Sequence, residues 1–299
     1  MFEIGIRVDD KTDDEYYQQP MMPHKISLKL IRSLSFLAVL LSFLPSTLLG
    51  QATQSAKVEL GSQTAKHGFQ NETEIQNKFN DWKADPDARA WLSVMGYKVA
   101  DIESVKAMKP HGEKADVEIT VKTSQGSRTE GISIKLVSSP NGFNQIDKRW
   151  LAHYAAMWKM PSAVYLGLKL FVGETPPVRP GRTAGRMYLN ELEPEARAAI
   201  ISFFELHKDA IVSDLFQGDG PHAAGWVMVA FKATDKTRWT LWRVADVIRF
   251  YGQGPVVITS GGNLKIGRIT MQRKGGDAGR DTANMLQFKI NPALLFDRP

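Results

Sequence analysis

Two carboxylates, a serine and a lysine carry the most specific chemistry in this chain. In KADVEITVK, Asp116 and Glu118 fall on the polar face of a strand whose other face is Val117, Ile119 and Val121. In GISIKLV, Ser133 and Lys135 alternate with Ile132, Ile134 and Leu136. The polar segment SQGS at 124–127 supplies turn chemistry between them, so the spacing predicts a β-hairpin. An acid on one strand beside an ammonium group on the next suits hydrolysis of a phosphodiester. That reaction needs a hard cation on the phosphate, a water made nucleophilic, and positive charge near the developing negative oxygens. Asp116 can hold Mg²⁺ and the Ile134 carbonyl can add a second oxygen ligand. Lys135 can lower the pKa of the attacking water or stabilise the transition state. A solvated amphipathic hairpin shows the same spacing, so the pattern alone leaves both readings open. Glu130 stands at odd spacing from Lys135, which turns it away from this face.

The elements around the hairpin follow from periodicity. GSQTAKHGFQNETEIQNKFNDW reads as a turn and then a helix, with Asn71 as N-cap, Glu74 three residues on, and Ile75 and Phe79 at i, i+4. Pro86 opens a second short helix carrying Ala90, Trp91, Val94 and Met95, closed by Gly96. Residues 144–159 read as a helix rich in aromatics, where the single His153 is expected in the core. Pro176, Pro177 and Pro180 mark a long loop. Residues 193–214 are expected to form one helix from Pro194, with Ile200, Ile201, Phe203, Phe204 and Leu206 in the core. GWVMVAFKA and TRWTLWRV read as strands and 244–251 as a short helix. VVITS, LKIGRITMQRK and MLQFKI read as strands around a glycine-rich loop at 275–279. The predicted class is α/β, a mixed central β-sheet flanked by helices.

Composition narrows the function. Of 299 residues, 43% are hydrophobic and 23% charged, as a packed domain requires. The absence of cysteine excludes disulfides, thiolate zinc sites, thiol nucleophiles and the cytosine C5 methyltransferases. No GxxxxGK[S/T] run supports a P-loop ATPase. The net charge of +6 suits a polyanionic partner. Between Lys265 and Lys289 lie Lys265, Arg268, Arg273, Lys274, Arg280 and Lys289 against Asp277 and Asp281, which reads as a phosphate-facing surface or a solvated face. Residues 1–24 are polar and acidic, and KISLKLIR followed by SLSFLAVLLSFLPSTLLG has the grammar of a secretory signal. The run from Ser33 to Gly50 is broken by Pro45 and marginal for a membrane span. A misassigned start, an apolar appendage and a true anchor compete for this segment.

The blocks ELGSQTAKHGFQNE, SVKA, LVSSPNGFNQIDKRWLAHYAAMWK and ITMQRKGGDAGRDTANMLQFKI resemble the HinP-type restriction endonucleases, members of the PD-(D/E)-x-K nuclease superfamily whose site is GCGC. The resemblance runs from Glu59 to Asp297 and has no counterpart in residues 1–55. It therefore implies a restriction endonuclease domain at 56–299 with that superfamily's core. It also favours a misassigned start for the 1–55 extension, hence a cytoplasmic enzyme rather than an exported or membrane-anchored protein. The implied activity is Mg²⁺-dependent double-strand cleavage of duplex DNA at a short palindrome. A cognate DNA methyltransferase would act on the same site without needing to bind this chain.

The same resemblance assigns residues. Asp116 matches the first metal-binding aspartate and Lys135 the catalytic lysine. Ser133 stands where the family has glutamine and most of the superfold has a carboxylate, and a serine reaches a metal only through water. Glu72, in the shared NE pair, or Glu118 would supply the missing charge, with Glu72 ranked first. Ser133 also motivates a rival reading, a DNA-binding relative that no longer cuts. The loop after the hairpin, with Asn144, resembles the family's DNA-contacting segment: Phe143 would wedge between base pairs, Gln145 would meet base edges, and Lys148 would bind phosphate or guanine. Arg273, Lys274 and Arg280 would fork onto guanine or phosphate, and Asp277 would accept from cytosine or orient an arginine. Which of these, or Asn284 and Gln287, reads bases stays open.

Overall fold

Glu59, Gln63 and residues 66–297, apart from 111, 180, 235 and 277–279, are described by the computed structural model. The 1–55 extension with its signal-like run, and Asp277, lie outside the described residues. Residues 66–80 form the first helix, α1. It buries Asn71, Ile75 and Phe79 at four-residue spacing. Asn71 is thus no N-cap: residues 66–70 are already helical, so its backbone lies within the helix. The second helix, α2, spans Pro86–Val94, with the Asp85 side chain accepting from the Ala88 N–H at 2.9 Å and Pro86 in the first turn. Its buried stripe is Ala88, Trp91, Leu92 and Met95, while Ala90 and Val94 face solvent.

The strands form two five-stranded sheets, and the first is the mixed sheet flanked by helices that the sequence predicts. The first has the order β1-β2-β3-β5-β6, from Ile102–Met108, Val117–Thr123, Gly126–Val137, Trp226–Phe231 and Arg238–Arg243. It is mixed: β3 and β5 run parallel from Ile132↔Trp226 to Val137↔Phe231, and the other pairs are antiparallel. The predicted hairpin is β2–β3, closed by a two-residue turn from Thr123 to Gly126. β5 is buried along its whole length. Its Trp226 and Met228 join the core that α1 and α2 make with Ile119, Val121, Ile132 and Ile134. Its Val227, Val229 and Phe231 join a second core on the opposite face. A strand covered on both sides has no reason to alternate, which is why WVMVAF is a continuous apolar run.

The second sheet, all antiparallel, has the order β4-β10-β9-β8-β7, from Asn144–Arg149, Leu286–Ile290, Ile269–Arg273, Leu264–Ile266 and Val256–Ile258. Residues 144–149, expected as the start of a helix, are its edge strand β4. Pairing with β10 and burial of Ile146 beside Phe288 outweigh the local helical pattern. The helix begins only after Trp150, at Leu151–Met157, and places His153 in solvent rather than in the core. The helix Ser162–Val172 escaped the sequence reading, although Val164, Leu168, Phe171 and Val172 carry a helical stripe between Pro161 and Gly173. The expected helix over 193–214 is two, Pro194–Leu206 and Lys208–Phe216, broken at His207, and Leu206 is exposed. LKIGRITMQRK is also two strands. They turn at Gly267, where φ is +56° and a Cβ would lie 2.5 Å from the Tyr251 carbonyl oxygen, so glycine is required. No helix among the described residues is long and apolar enough to cross a membrane.

Candidate active site

The site forms where β3 outruns β2. The two strands pair as far as Val117↔Ile132, and the Asp116 N–H closes the ladder on the Ile132 carbonyl at 2.9 Å. Beyond that point the β2-side edge of β3 has no ladder partner, and an unpaired backbone group must find another. The Asp116 carboxylate fills the place: its Oδ2 accepts from the Ile134 N–H at 2.5 Å and from the Ser133 hydroxyl at 3.3 Å. Lys135 Nζ donates to Ser133 Oγ and to the Ile134 carbonyl, each at 3.0 Å, and lies 3.7 Å from Asp116 Oδ2. Carboxylate, carbonyl, hydroxyl and ammonium therefore converge because a strand ends. Ser133 links acid and lysine as a neutral bridge.

Asp116 and Lys135 line two adjoining recesses. The first, about 370 Å³, adds His67, Glu72, Ile134, Phe143, Asn144 and Gln145. Glu72, reaching over from α1, is thus brought to the site, where its carboxylate pairs with Lys109 at 2.9 Å. Glu118 is not. It shares the Asp116 face but is buried, 2.8 Å from His222 Nδ1, and lines neither recess. That hydrogen bond raises the His222 pKa and favours the imidazolium. Glu130 points elsewhere, accepting from Tyr97 and Trp226.

The loop carrying Phe143 is pinned at both ends. Asn144 Nδ2 donates to the Leu136 carbonyl at 2.8 Å and Asn291 Nδ2 to the Pro140 carbonyl at 3.0 Å. Phe143 is displayed at 54% exposure from this fixed frame, beside exposed Gln145.

The second recess, about 470 Å³, adds Lys114, Asp147, Lys148 and Arg149. Lys114, Asp147 and Arg149 form a charge network that sequence reasoning missed. Buried Asp147 accepts from Lys114 Nζ at 3.0 Å, Arg149 Nε at 3.1 Å and the Tyr154 hydroxyl at 2.5 Å. Burial opposes its charge, but Lys114, Tyr154 and Arg149 together hold its carboxyl below the ordinary range. Burial pushes Lys114 down, and nearby Lys135 adds to this against the pull of Asp147.

The basic segment after β9 lines a third recess with Arg273, Lys274, Gly275, Gly276, Arg280 and Asn284. Arg273 is held by the Ala283 carbonyl at 3.1 Å and Asn284 Oδ1 at 2.5 Å. Gln287 is buried, with its amide toward the Arg273 and Lys274 carbonyls. Arg186 and Tyr188 enter this recess from a distant part of the chain, without a local signal in the sequence.

A family model described as R.HinP1I restriction endonuclease matches residues 95–296. Among solved structures, the chain is similar to restriction endonuclease MspI, determined in complex with its cognate DNA. The TM-score is 0.50 at 11% sequence identity, over 74% of this chain and 83% of that one. At that identity the likeness bears on the fold, which is that of a restriction endonuclease. No curated protein matches the chain.

Proposed function

Because the chain belongs to the R.HinP1I restriction endonuclease family and is a type II site-specific nuclease, we propose that it cuts both strands of duplex DNA at GCGC, with Mg²⁺ as cofactor, leaving 5′-phosphates. The observation that carries this reading is the group formed by Asp116, the Ile134 carbonyl and Lys135 at the unpaired edge of β3.

The donors suit a hard cation. Asp116, the Ile134 carbonyl and Glu72 would hold it through oxygen donors. Among the described residues no group of three or more His, Cys, Asp or Glu is placed to hold a metal. So sparse a set fits Mg²⁺, which takes one or two carboxylates and fills its shell with water and phosphate oxygens. When bound, the cation supplies Lewis acidity and offsets charge at the scissile phosphate. Lys135 has three donors, of which Ser133 and Ile134 engage two, leaving one for a phosphate oxygen or the attacking water. Its positive charge favours the hydroxide form of that water and the negative charge that develops on the phosphate.

The DNA lies across the two recesses that Asp116 and Lys135 share. Phe143 is the wedge, Gln145 faces base edges, Asn144 braces the same DNA-contacting loop through the Leu136 carbonyl, and Lys148 meets the backbone. Arg273, Lys274 and Arg280 complete the contacts from the segment that begins at the end of β9, and Asp277 accepts from cytosine or orients an arginine. The MspI structure was solved on its cognate DNA, and the shared fold supports DNA as the partner. A methyltransferase of the same specificity would protect the host's own sites in the cytoplasm without touching this chain.

Digestion of DNA of known sequence with Mg²⁺, followed by mapping of the ends, is the direct test. Cuts confined to GCGC with 5′-phosphates are expected. Binding without nicking would instead favour the inert relative that Ser133 suggests. A second measurement ranks the carboxylates. Glu72→Gln is expected to raise the Mg²⁺ concentration for half-maximal cutting by about 10-fold or more, in line with losses of groups around a metal. Glu118→Gln, engaged with His222, should shift it less. Equal shifts would deny Glu72 its ligand role.

A further inference from the structure

The third recess, which Asp281 also lines, places Arg186 and Arg273 together. Arg186 lies 4.4 Å from the Tyr188 ring centroid, and Arg182 lies 4.0 Å from the same ring. Arg182 is already engaged, 3.3 Å from Glu191 Oε1 and bonded to Asn190. Arg186 makes no ion pair among the described residues. Arg273 faces the same recess. A Cβ on Gly173 would sit 3.3 Å from Arg273 Nη1 and 3.5 Å from the Arg186 Cβ, so the Arg273 guanidinium reaches the root of the Arg186 side chain. Burial, and then the charge of Arg186, lowers the Arg273 pKa. Two guanidinium groups held close, each fixed by stacking or by hydrogen bonds to neutral acceptors, are unfavourable until a ligand rich in acceptors arrives.

Geometry relates this recess to the cutting site. Lys148 of β4 lies opposite Gln287 of β10, which lies opposite Gln272 of β9. Cross-strand partners share a face of the sheet. Lys148 lines a catalytic recess and Gln272 the arginine recess. Two strand spacings separate them, about 10 Å. With about 3.4 Å per base along a strand, that is roughly three base steps. One short duplex site reaches both. Stacking on a ring fixes a planar fork at one angle, which suits the fixed pair of acceptors on a guanine edge better than a freely rotating phosphate.

We propose that Arg186, laid on Tyr188 and paired with Arg273, reads a guanine of the target site from the major groove. The inference rests on the reading that this chain recognises a G·C palindrome and adds a specificity-determining residue to it.

The test is binding without cleavage, in Ca²⁺, to a short GCGC duplex, to the same duplex with its site scrambled, and to one carrying 7-deazaguanine, which lacks the N7 acceptor. Arg186→Ala is expected to weaken GCGC binding by about 10- to 100-fold and to leave scrambled DNA within about twofold. Arg186→Lys keeps the charge but not the fork and should lose preference in the same way, which separates lost readout from lost folding. Replacing guanine by its 7-deaza analogue should penalise the wild type and not the variants. Equal losses on both duplexes with a shallower salt dependence would make Arg186 a phosphate contact and overturn the proposal. So would variants that keep the wild-type preference. A wild type that cuts GCGC while Arg186→Lys discriminates normally sinks the Arg186 assignment alone. A wild type with no preference for GCGC removes the specificity reading and this assignment together.

Discussion

Lys135→Ala is expected to slow strand cleavage by about 10²- to 10³-fold at saturating metal, with little change in DNA affinity, as for loss of one preorganised charge at a developing oxyanion. The side chain is half-buried and locked: both bonds at 3.0 Å and the 3.7 Å approach to Asp116 leave it little freedom. Its stabilisation is therefore in place before the phosphate gains charge. Alanine also releases the Ile134 carbonyl from Lys135, so metal binding should hold or improve while the chemical step fails. That split is specific to a catalytic ammonium. Lys135→Arg should not rescue, because a planar fork cannot fill the place of a compact ammonium between Ser133 Oγ and the Ile134 carbonyl. Single-turnover cleavage and band shifts in Ca²⁺ measure the two terms separately. Unchanged cutting would remove Lys135 from the mechanism, and a matching loss of binding would make it a DNA anchor.

The candidate catalytic hairpin was legible because its signal is local. Alternation fixes the faces of Asp116, Ser133 and Lys135, and a turn fixes the partner strand. The same rule put Glu118 beside Asp116, and it fails there for a reason no window contains: His222, 104 residues on, takes the Glu118 carboxylate. Glu72 needed a helix laid across a sheet, and only its place in a family block pointed to it. Asn144 to Arg149 carry a helical pattern that a partner strand from the far end of the chain overrides. The Lys114–Asp147 pair and the meeting of Arg186 with Arg273 likewise depend on topology. By contrast, the helix Ser162–Val172 could have been read from its stripe, its preceding proline and its closing glycine. Tertiary pairing, rather than weak propensity, accounts for most of the rest.

Asp147→Ala should remove about 3–5 kcal/mol of folding stability, the usual result of stripping one partner from a buried ion pair. The carboxylate is 8% exposed and the Lys114 side chain 14%. With alanine in place, the Lys114 ammonium keeps only the Ile146 carbonyl at 3.2 Å, and the Tyr154 hydroxyl loses its acceptor. Burial costs Lys114 more than Asp147 returns to it, whereas Asp147 is supported by Lys114, Tyr154 and Arg149 together. Removing both charges should therefore hurt less than removing one. Lys114→Met with Asp147→Leu is expected to recover much of the loss, though not activity, since both residues line a recess beside Asp116. The pH dependence has a definite sign. The folded pKa of Asp147 lies below its ordinary value of 3.8, so its contribution is complete above that value and is lost as pH falls through the lower, folded one. Asp214, raised by burial, runs the other way and gains as it protonates at higher pH. Acid unfolding of the wild type should thus steepen only below the ordinary carboxylate range, and Asp147→Asn should flatten that limb. Urea titrations at neutral and acidic pH measure both effects. Stability unchanged in Asp147→Ala would mean that water satisfies Lys114 and Tyr154, and that the network is not what holds β4 beside the catalytic strands.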